Sequence, residues 1–261
     1  MKIVVCGGGN LGHVLTGILS LKNEVSILTG NPEKWNKQII INDLYGNNYY
    51  GNIYNISNSA KDLIPGCDII LLCVPGNIME KYFNIIKEYY TENQIICSIV
   101  SSNGFFWMAK KILGSKAKLI GFQRVPYICR LNEYGHSATI TGYKTLLKIA
   151  EHNVSNVEYW RAFFENNFNT KVNILNHYLE AAITNSNPLL HPSRLYGLFK
   201  RWNDKIIYDR EFYFYEDWDY SSSEILILVD NEFQEIIRKL PINQNEIPSL
   251  LEYYESNDAI S

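Results

Sequence analysis

Lys2-Ile3-Val4-Val5-Cys6-Gly7-Gly8-Gly9-Asn10-Leu11-Gly12 decides the fold. The first five residues are a short β-branched, apolar run, which favours a strand. The glycines that follow fit G-x-G-x-x-G at Gly7, Gly9 and Gly12. Such a hexapeptide carries weight only between a strand and a helix. Here an amphipathic stretch from Leu11 to Leu21 follows it. Each glycine then has an expected physical role. Gly7 permits the tight turn, Gly9 lets backbone approach a pyrophosphate, and Gly12 lets helix and strand pack closely. The helix N-terminus, through Asn10 and Leu11, offers free N–H groups and a positive dipole end to the phosphates.

Outward from this stretch, strand and helix signals alternate. Glu24–Leu28 is a second strand, and Asn31-Pro32-Glu33-Lys34 has the form of a helix start. Tyr49–Ile56 suggests an extended pair. Asp68–Val74 and Gln94–Val100 are continuous apolar runs, as expected of strands covered on both faces. Helical periodicity spans Asn77–Tyr90 and Phe105–Leu113, and Ala117–Phe122 is another strand. Val125–Ile128 and Ala138–Thr141 suggest a hairpin closing the first domain. From Lys144 the signals turn mostly helical, over Val157–Phe168, His177–Thr184, Leu189–Lys200 and Ser222–Lys239. The expectation is an α/β protein. An N-terminal Rossmann domain with a doubly wound parallel sheet, residues 1–150, precedes a smaller, mainly α-helical domain, residues 151–261.

The remaining composition excludes several classes. The 261 residues carry 24 basic and 27 acidic side chains, a net charge of −3, so no basic face awaits nucleic acid or an anionic membrane. No apolar run approaches the ~20 residues of a membrane span. The opening residues MKIVVCGGG lack the apolar core and cleavage site of a secretory signal. Five cysteines, Cys6, Cys67, Cys73, Cys97 and Cys129, show no metal-ligand spacing and suit buried, reduced thiols. A cytoplasmic protein without a metal site is therefore expected.

A second strand ending in Asp or Glu would hold the ribose 2′-hydroxyl of NAD. Here the strand ends at Thr29-Gly30-Asn31. Thr29 and Asn31 can donate to a 2′-phosphate, and Lys34 or Lys37 can neutralise it, which favours NADP(H) and leaves NAD(H) open. Val74 and Pro75, at the carboxyl end of a later strand, stand where ligands of open sheets bind.

Of the histidines His13, His136, His152, His177 and His191, the first is expected to pack, the next two to lie in turns, and His177 to begin a helix. His191 differs, because Asn185-Ser-Asn187-Pro188-Leu-Leu-His191-Pro192 groups two amides and an imidazole at what the prolines suggest is a helix break. This octapeptide, after a G-x-G-x-x-G domain, resembles the opine dehydrogenase family, which includes octopine and nopaline dehydrogenases. Val125-Pro-Tyr-Ile-Cys-Arg130, Phe214-Tyr-Glu216 and Asp230-Asn-Glu232 resemble further family segments.

The resemblance implies NAD(P)H-dependent reductive condensation of an amino acid with a 2-oxo acid through an imine. It implies His191 as acid/base, Asn185 and Asn187 as holders of substrate or imidazole, and Arg130 as a carboxylate clamp. The family pairs its histidine with an aspartate far downstream, but only 70 residues follow His191 here. A shortened helical domain, a sequence that is part of a longer one, or a substitute such as Asp204 or Asp209 would account for that. A ketopantoate-reductase-like enzyme, which would use a lysine such as Lys144 or Lys148, and a non-catalytic NADP(H) sensor are the alternatives. Aromatics crowd the stretch from Tyr196 to Tyr220. They suit a wall for an amino-acid substrate or, preferred because aromatics dominate both, core and homodimer contacts.

Overall fold

The structure is a computed structural model describing residues 1–102, 104–183, 186–208 and 210–259. Two compact units, Met1–Ile183 and Thr184–Ser261, divide the chain.

The first unit begins β1 (Lys2–Cys6), α1 (Asn10–Leu19), β2 (Glu24–Leu28), β3 (Gln38–Asp43), β4 (Asn48–Asn52), β5 (Asn55–Ser57) and α2 (Ala60–Leu63). It continues β6 (Ile69–Leu72), α3 (Gly76–Lys87), β7 (Ile95–Ser98), α4 (Phe105–Leu113), β8 (Lys118–Phe122), β9 (Tyr127–Glu133) and β10 (Ser137–Tyr143). β11 (Leu146–His152), α5 (Val157–Phe168), β12 (Lys171–Ile174) and α6 (Tyr178–Ala182) complete it. The second unit holds α7 (Asn187–Phe199), α8 (Tyr220–Ile237) and α9 (Leu250–Tyr253).

An eight-stranded sheet runs β12-β11-β8-β7-β6-β1-β2-β5. Its pairings are parallel except β11 with β8. Alternate residues of β1, β6 and β7 feed two separate cores. Ile3, Val5, Ile69, Leu71 and Cys97 face one, and Val4, Cys6, Ile70, Leu72 and Ile96 face the other. Burial on both sides explains why these strands are unbroken apolar runs. The strand order reverses on either side of β1, so the loops after β1 and β6 border the crevice where such sheets bind ligands.

A four-stranded sheet, β4-β3-β10-β9, stands beside α1 and closes over its far side. Tyr49–Ile56 is therefore not a pair: β4 and β5 lie in different sheets. The β9–β10 hairpin is present, and its β10 pairs onward with β3 in parallel.

The expected domain boundary near residue 150 is corrected. Residue 150 lies inside β11, and α5, β12 and α6 belong to the first unit. β11 was missed because its sequence, LLKIAEH, mixes charge into a half-covered strand near the sheet edge, and β12 has only four residues. His152 accordingly ends a strand and does not lie in a turn. None of the five cysteines is in a disulfide. No helix among the described residues is long and apolar enough to cross a membrane.

Candidate active site

The glycine loop joins β1 to α1. Gly7 has φ +109°, and a Cβ there would lie 2.7 Å from the Cys73 carbonyl oxygen and 2.8 Å from Val74 Cγ1. A Cβ at Gly12 would fall 1.8 Å from the Gly7 carbonyl oxygen, so the helix can start this close to the strand only without one. Gly9, the N-cap of α1, has nothing within 4 Å of its Cβ direction, and no side chain caps the helix. The first amides of α1 therefore face open space beside a glycine, the arrangement a pyrophosphate requires. The residues present fit a dinucleotide. Val74 lies against Gly7, and Pro75 is the exposed N-cap of α3, so both border the same edge as the loop.

The other fingerprint positions are partly committed to the fold. The Asn10 side chain accepts the Leu131 N–H of β9 at 2.9 Å. Leu11 is half-buried against the core. His13 is fully buried and stacked on Trp35. The Gly135 N–H donates to its Nε2 at 2.7 Å, and its Nδ1 lies 2.9 Å from the Gly9 carbonyl oxygen. A carbonyl only accepts, so the ring is neutral and carries its proton on Nδ1. Burial holds its pKa below 6.5, against the opposing pull of the Gly9 hydrogen bond.

At the end of β2, Thr29 is only 2% exposed and its hydroxyl is 3.0 Å from the Tyr134 hydroxyl. The expected direct contact of Thr29 with a 2′-phosphate is therefore corrected: the hydroxyl is spent on a phenol that covers it. Asn31 and Lys34 are exposed beside it, whereas Lys37 donates to the Tyr54 carbonyl at 2.8 Å. Tyr134 had no signal in the sequence, because it lies over a hundred positions from Thr29, on a hairpin outside the fingerprint. Arg130 is exposed on β9, and its Nη1 donates to the Cys129 carbonyl at 2.9 Å.

In the second unit, α7 runs unbroken through His191, so the expected helix break is corrected. Pro188 falls in the first turn, where its missing N–H costs nothing. Pro192, inside the helix, denies the Pro188 carbonyl its donor. The Ser193 hydroxyl donates to the neighbouring Leu189 carbonyl at 2.7 Å. His191 is half-buried, with its Nε2 3.3 Å from the Tyr215 hydroxyl and its ring edge-on to Phe214. Among the described residues no carboxylate is hydrogen-bonded to His191. Asp204 is exposed, and Asp209 lies outside the described residues. Asn187 is exposed at the first position of α7, and Asn185 lies outside the described residues.

Arg194, three residues along α7 from His191, is fully buried. It donates to the Phe214 carbonyl at 3.1 Å, Asp219 Oδ2 at 3.1 Å, Ser222 Oγ at 3.1 Å and the Asp217 carbonyl. It thereby fixes the loop that brings Phe214 and Tyr215 to His191. Its sequence gave no hint of this, since it stood among several exposed cations. A cavity of about 560 Å³ opens beside Tyr215, lined by Leu190, Trp218, Asp230, Leu250 and Tyr254 among others. Tyr196, Trp202, Tyr213 and Tyr220 are more than half exposed, so a core role accounts for only part of the aromatic stretch.

Residues 174–260 match the model of the NAD/NADP octopine/nopaline dehydrogenase alpha-helical domain. Octopine dehydrogenase of Pecten maximus is 26% identical over 256 residues, 90% of this chain and 64% of its own length. Tauropine dehydrogenase of Arabella iricolor is 26% identical over 91% of this chain and 65% of its own. The chain thus spans just under two thirds of the length of these relatives. An octopine dehydrogenase solved with NADH and L-arginine superposes with a TM-score of 0.83, at 24% identity, over 99% of this chain and 72% of its own, and so shares its fold. By these matches the chain is similar to the opine dehydrogenases, and its residues 174–260 to their alpha-helical domain.

Proposed function

We propose that this chain acts as an NAD(P)H-dependent oxidoreductase that reductively condenses an amino acid with a 2-oxo acid. The observation that carries the reading is the Gly7–Gly12 loop, open at Gly9 and tightly packed at Gly12, in a chain whose helical part matches the octopine/nopaline dehydrogenase model. Relatives named octopine, opine and tauropine dehydrogenases support the same reaction class.

A bound nicotinamide would supply hydride to the carbon–nitrogen double bond. The α1 amides and Gly9 would hold its pyrophosphate, with Val74 and Pro75 along the same edge. His191 would hold or deliver a proton at the reacting centre through an imidazole whose orientation Tyr215 and Phe214 set. A cavity of about 560 Å³ beside Tyr215 gives room for an amino-acid side chain. Arg130 and Asn187 remain the candidates for the substrate carboxylates.

The test is loss of reduced-nicotinamide absorbance in mixtures of amino acids and 2-oxo acids. Turnover is expected only when both are present. His191→Gln should lose at least about a hundredfold in kcat while cofactor affinity stays within twofold, the range for removing a general acid/base. Turnover with an oxo acid alone would move the protein to the simple 2-oxo acid reductases. Cofactor binding without turnover on any pair would leave a sensor.

A further inference from the structure

We propose that Tyr134 determines specificity for an adenosine 2′-phosphate, delivered by the tip of the β9–β10 hairpin to the end of β2. The proposal rests on the dinucleotide reading above and concerns the same site. Thr29 stands where NAD-binding sheets place an acid for the ribose 2′-hydroxyl. It is buried under the Tyr134 hydroxyl, 3.0 Å away. A Cβ on Gly8 would lie 2.7 Å from that phenol oxygen. The phenol therefore sits directly over the fingerprint loop, between the β1 turn and the end of β2, which is the path of the adenosine ribose.

The hairpin tip is held rigidly. The Tyr134 ring stands edge-on to His13 and Trp35, with centroids 5.0 and 5.8 Å away. The adjacent Gly135 has φ +76°, and a Cβ there would fall 2.0 Å from the Lys34 carbonyl oxygen. Its N–H is bound by His13.

The groups facing the phenol are Thr29, Trp35, Asn31 and Lys34, none of them acidic. Burial would raise the phenol pKa, but the Thr29 hydroxyl at 3.0 Å, the nearby Trp35 and Asn31 side chains and the Lys34 charge outweigh burial and hold it below 10. Such an O–H is a stronger donor than an ordinary tyrosine. A sharpened donor beside an exposed ammonium suits a phosphate dianion, and none of the groups acting on the phenol is a carboxylate.

The experiment titrates the full chain with NADPH, NADH, 2′,5′-ADP and 5′-ADP, read by tryptophan fluorescence. The wild type should bind 2′,5′-ADP at least ~10-fold more tightly than 5′-ADP, as one hydrogen bond to a charged group allows. Tyr134→Phe should lose about tenfold for NADPH and 2′,5′-ADP and stay within twofold for NADH and 5′-ADP. Lys34→Met, an exposed change that leaves the packing intact, should lose affinity for the same two ligands and decides the question if Tyr134→Phe does not fold. Equal losses for both ligand pairs in Tyr134→Phe would show a merely structural tyrosine and overturn the proposal. So would a wild type that prefers NADH. A folded wild type that binds none of the four would instead overturn the dinucleotide reading beneath it.

Discussion

His13 shows how a residue can be structural and still serve a ligand site. It directly follows the glycine fingerprint, and its two ring nitrogens tie the N-cap of α1 to the hairpin tip at Gly135. The Gly135 bond requires the neutral ring, because a protonated Nε2 cannot accept, and burial holds the pKa below 6.5. The unfolded chain therefore binds the proton more readily. This stability contribution is present above about pH 6.5 and is lost as pH falls through the depressed value. Thermal denaturation between pH 7.5 and 5 should show stability falling on acidification. His13→Phe keeps the stack on Trp35 but strands the Gly135 N–H, and should cost about 1–3 kcal/mol at pH 7.5. The gap between variant and wild type should narrow toward pH 5; a gap that widens would contradict a neutral His13.

Single residues also mark where sequence reading stopped. The roles of Gly7 and Gly12 were legible, because turn and close packing are local demands. Thr29 was misassigned because its partner, Tyr134, comes from a distant hairpin. Arg194 was not singled out, since only the folded loop from Phe214 to Asp219 encloses it. Asn185, Asn187 and His191 read as a group at a helix break, whereas Asn187 and His191 both lie on α7 and Asn185 falls outside the described residues. Pro188 falls within the first helical turn and Pro192 is absorbed inside α7, so the helix continues through His191.

At the scale of elements, the β1–α1 junction is the most constrained feature of the first unit. The expected Gly12 contact is present, with a virtual Cβ 1.8 Å from backbone. No rotamer change relieves a clash between Cβ and a carbonyl oxygen. Gly12→Ala should therefore destabilise the chain by about 3 kcal/mol or more, the upper end of overpacking costs, measured by urea denaturation. A loss under about 1 kcal/mol would mean that α1 can shift away from β1. Strands β1, β2, β6, β7 and β8 were legible because burial on both faces leaves apolar runs. β11 and β12 were not, because strands near an edge carry mixed polarity and β12 is too short for a pattern. That loss misplaced the domain boundary by over thirty residues, from 150 to Ile183.

At the scale of the molecule, each of the two units carries its own candidate feature. The first presents a glycine loop at the switch point of a parallel sheet. The second presents an imidazole on a helix anchored by a buried arginine. The similarity to the opine dehydrogenases extends over both, while the chain spans 64% of the length of the octopine dehydrogenase it matches. On the reading proposed above, the first unit binds a reduced nicotinamide dinucleotide at the Gly9 opening. Energy transfer from tryptophan to NADPH or NADH, titrated into the wild type and Gly9→Ala, tests it most directly. Gly9 has open space where a Cβ would go, so Gly9→Ala should keep its fold within the ~1 kcal/mol of a changed N-cap. Saturable binding to the wild type, weakened at least ~10-fold in a folded Gly9→Ala, is the predicted result, because the added methyl occupies the pyrophosphate's approach. Equal affinity in the two proteins, or no binding to a folded wild type, would contradict it.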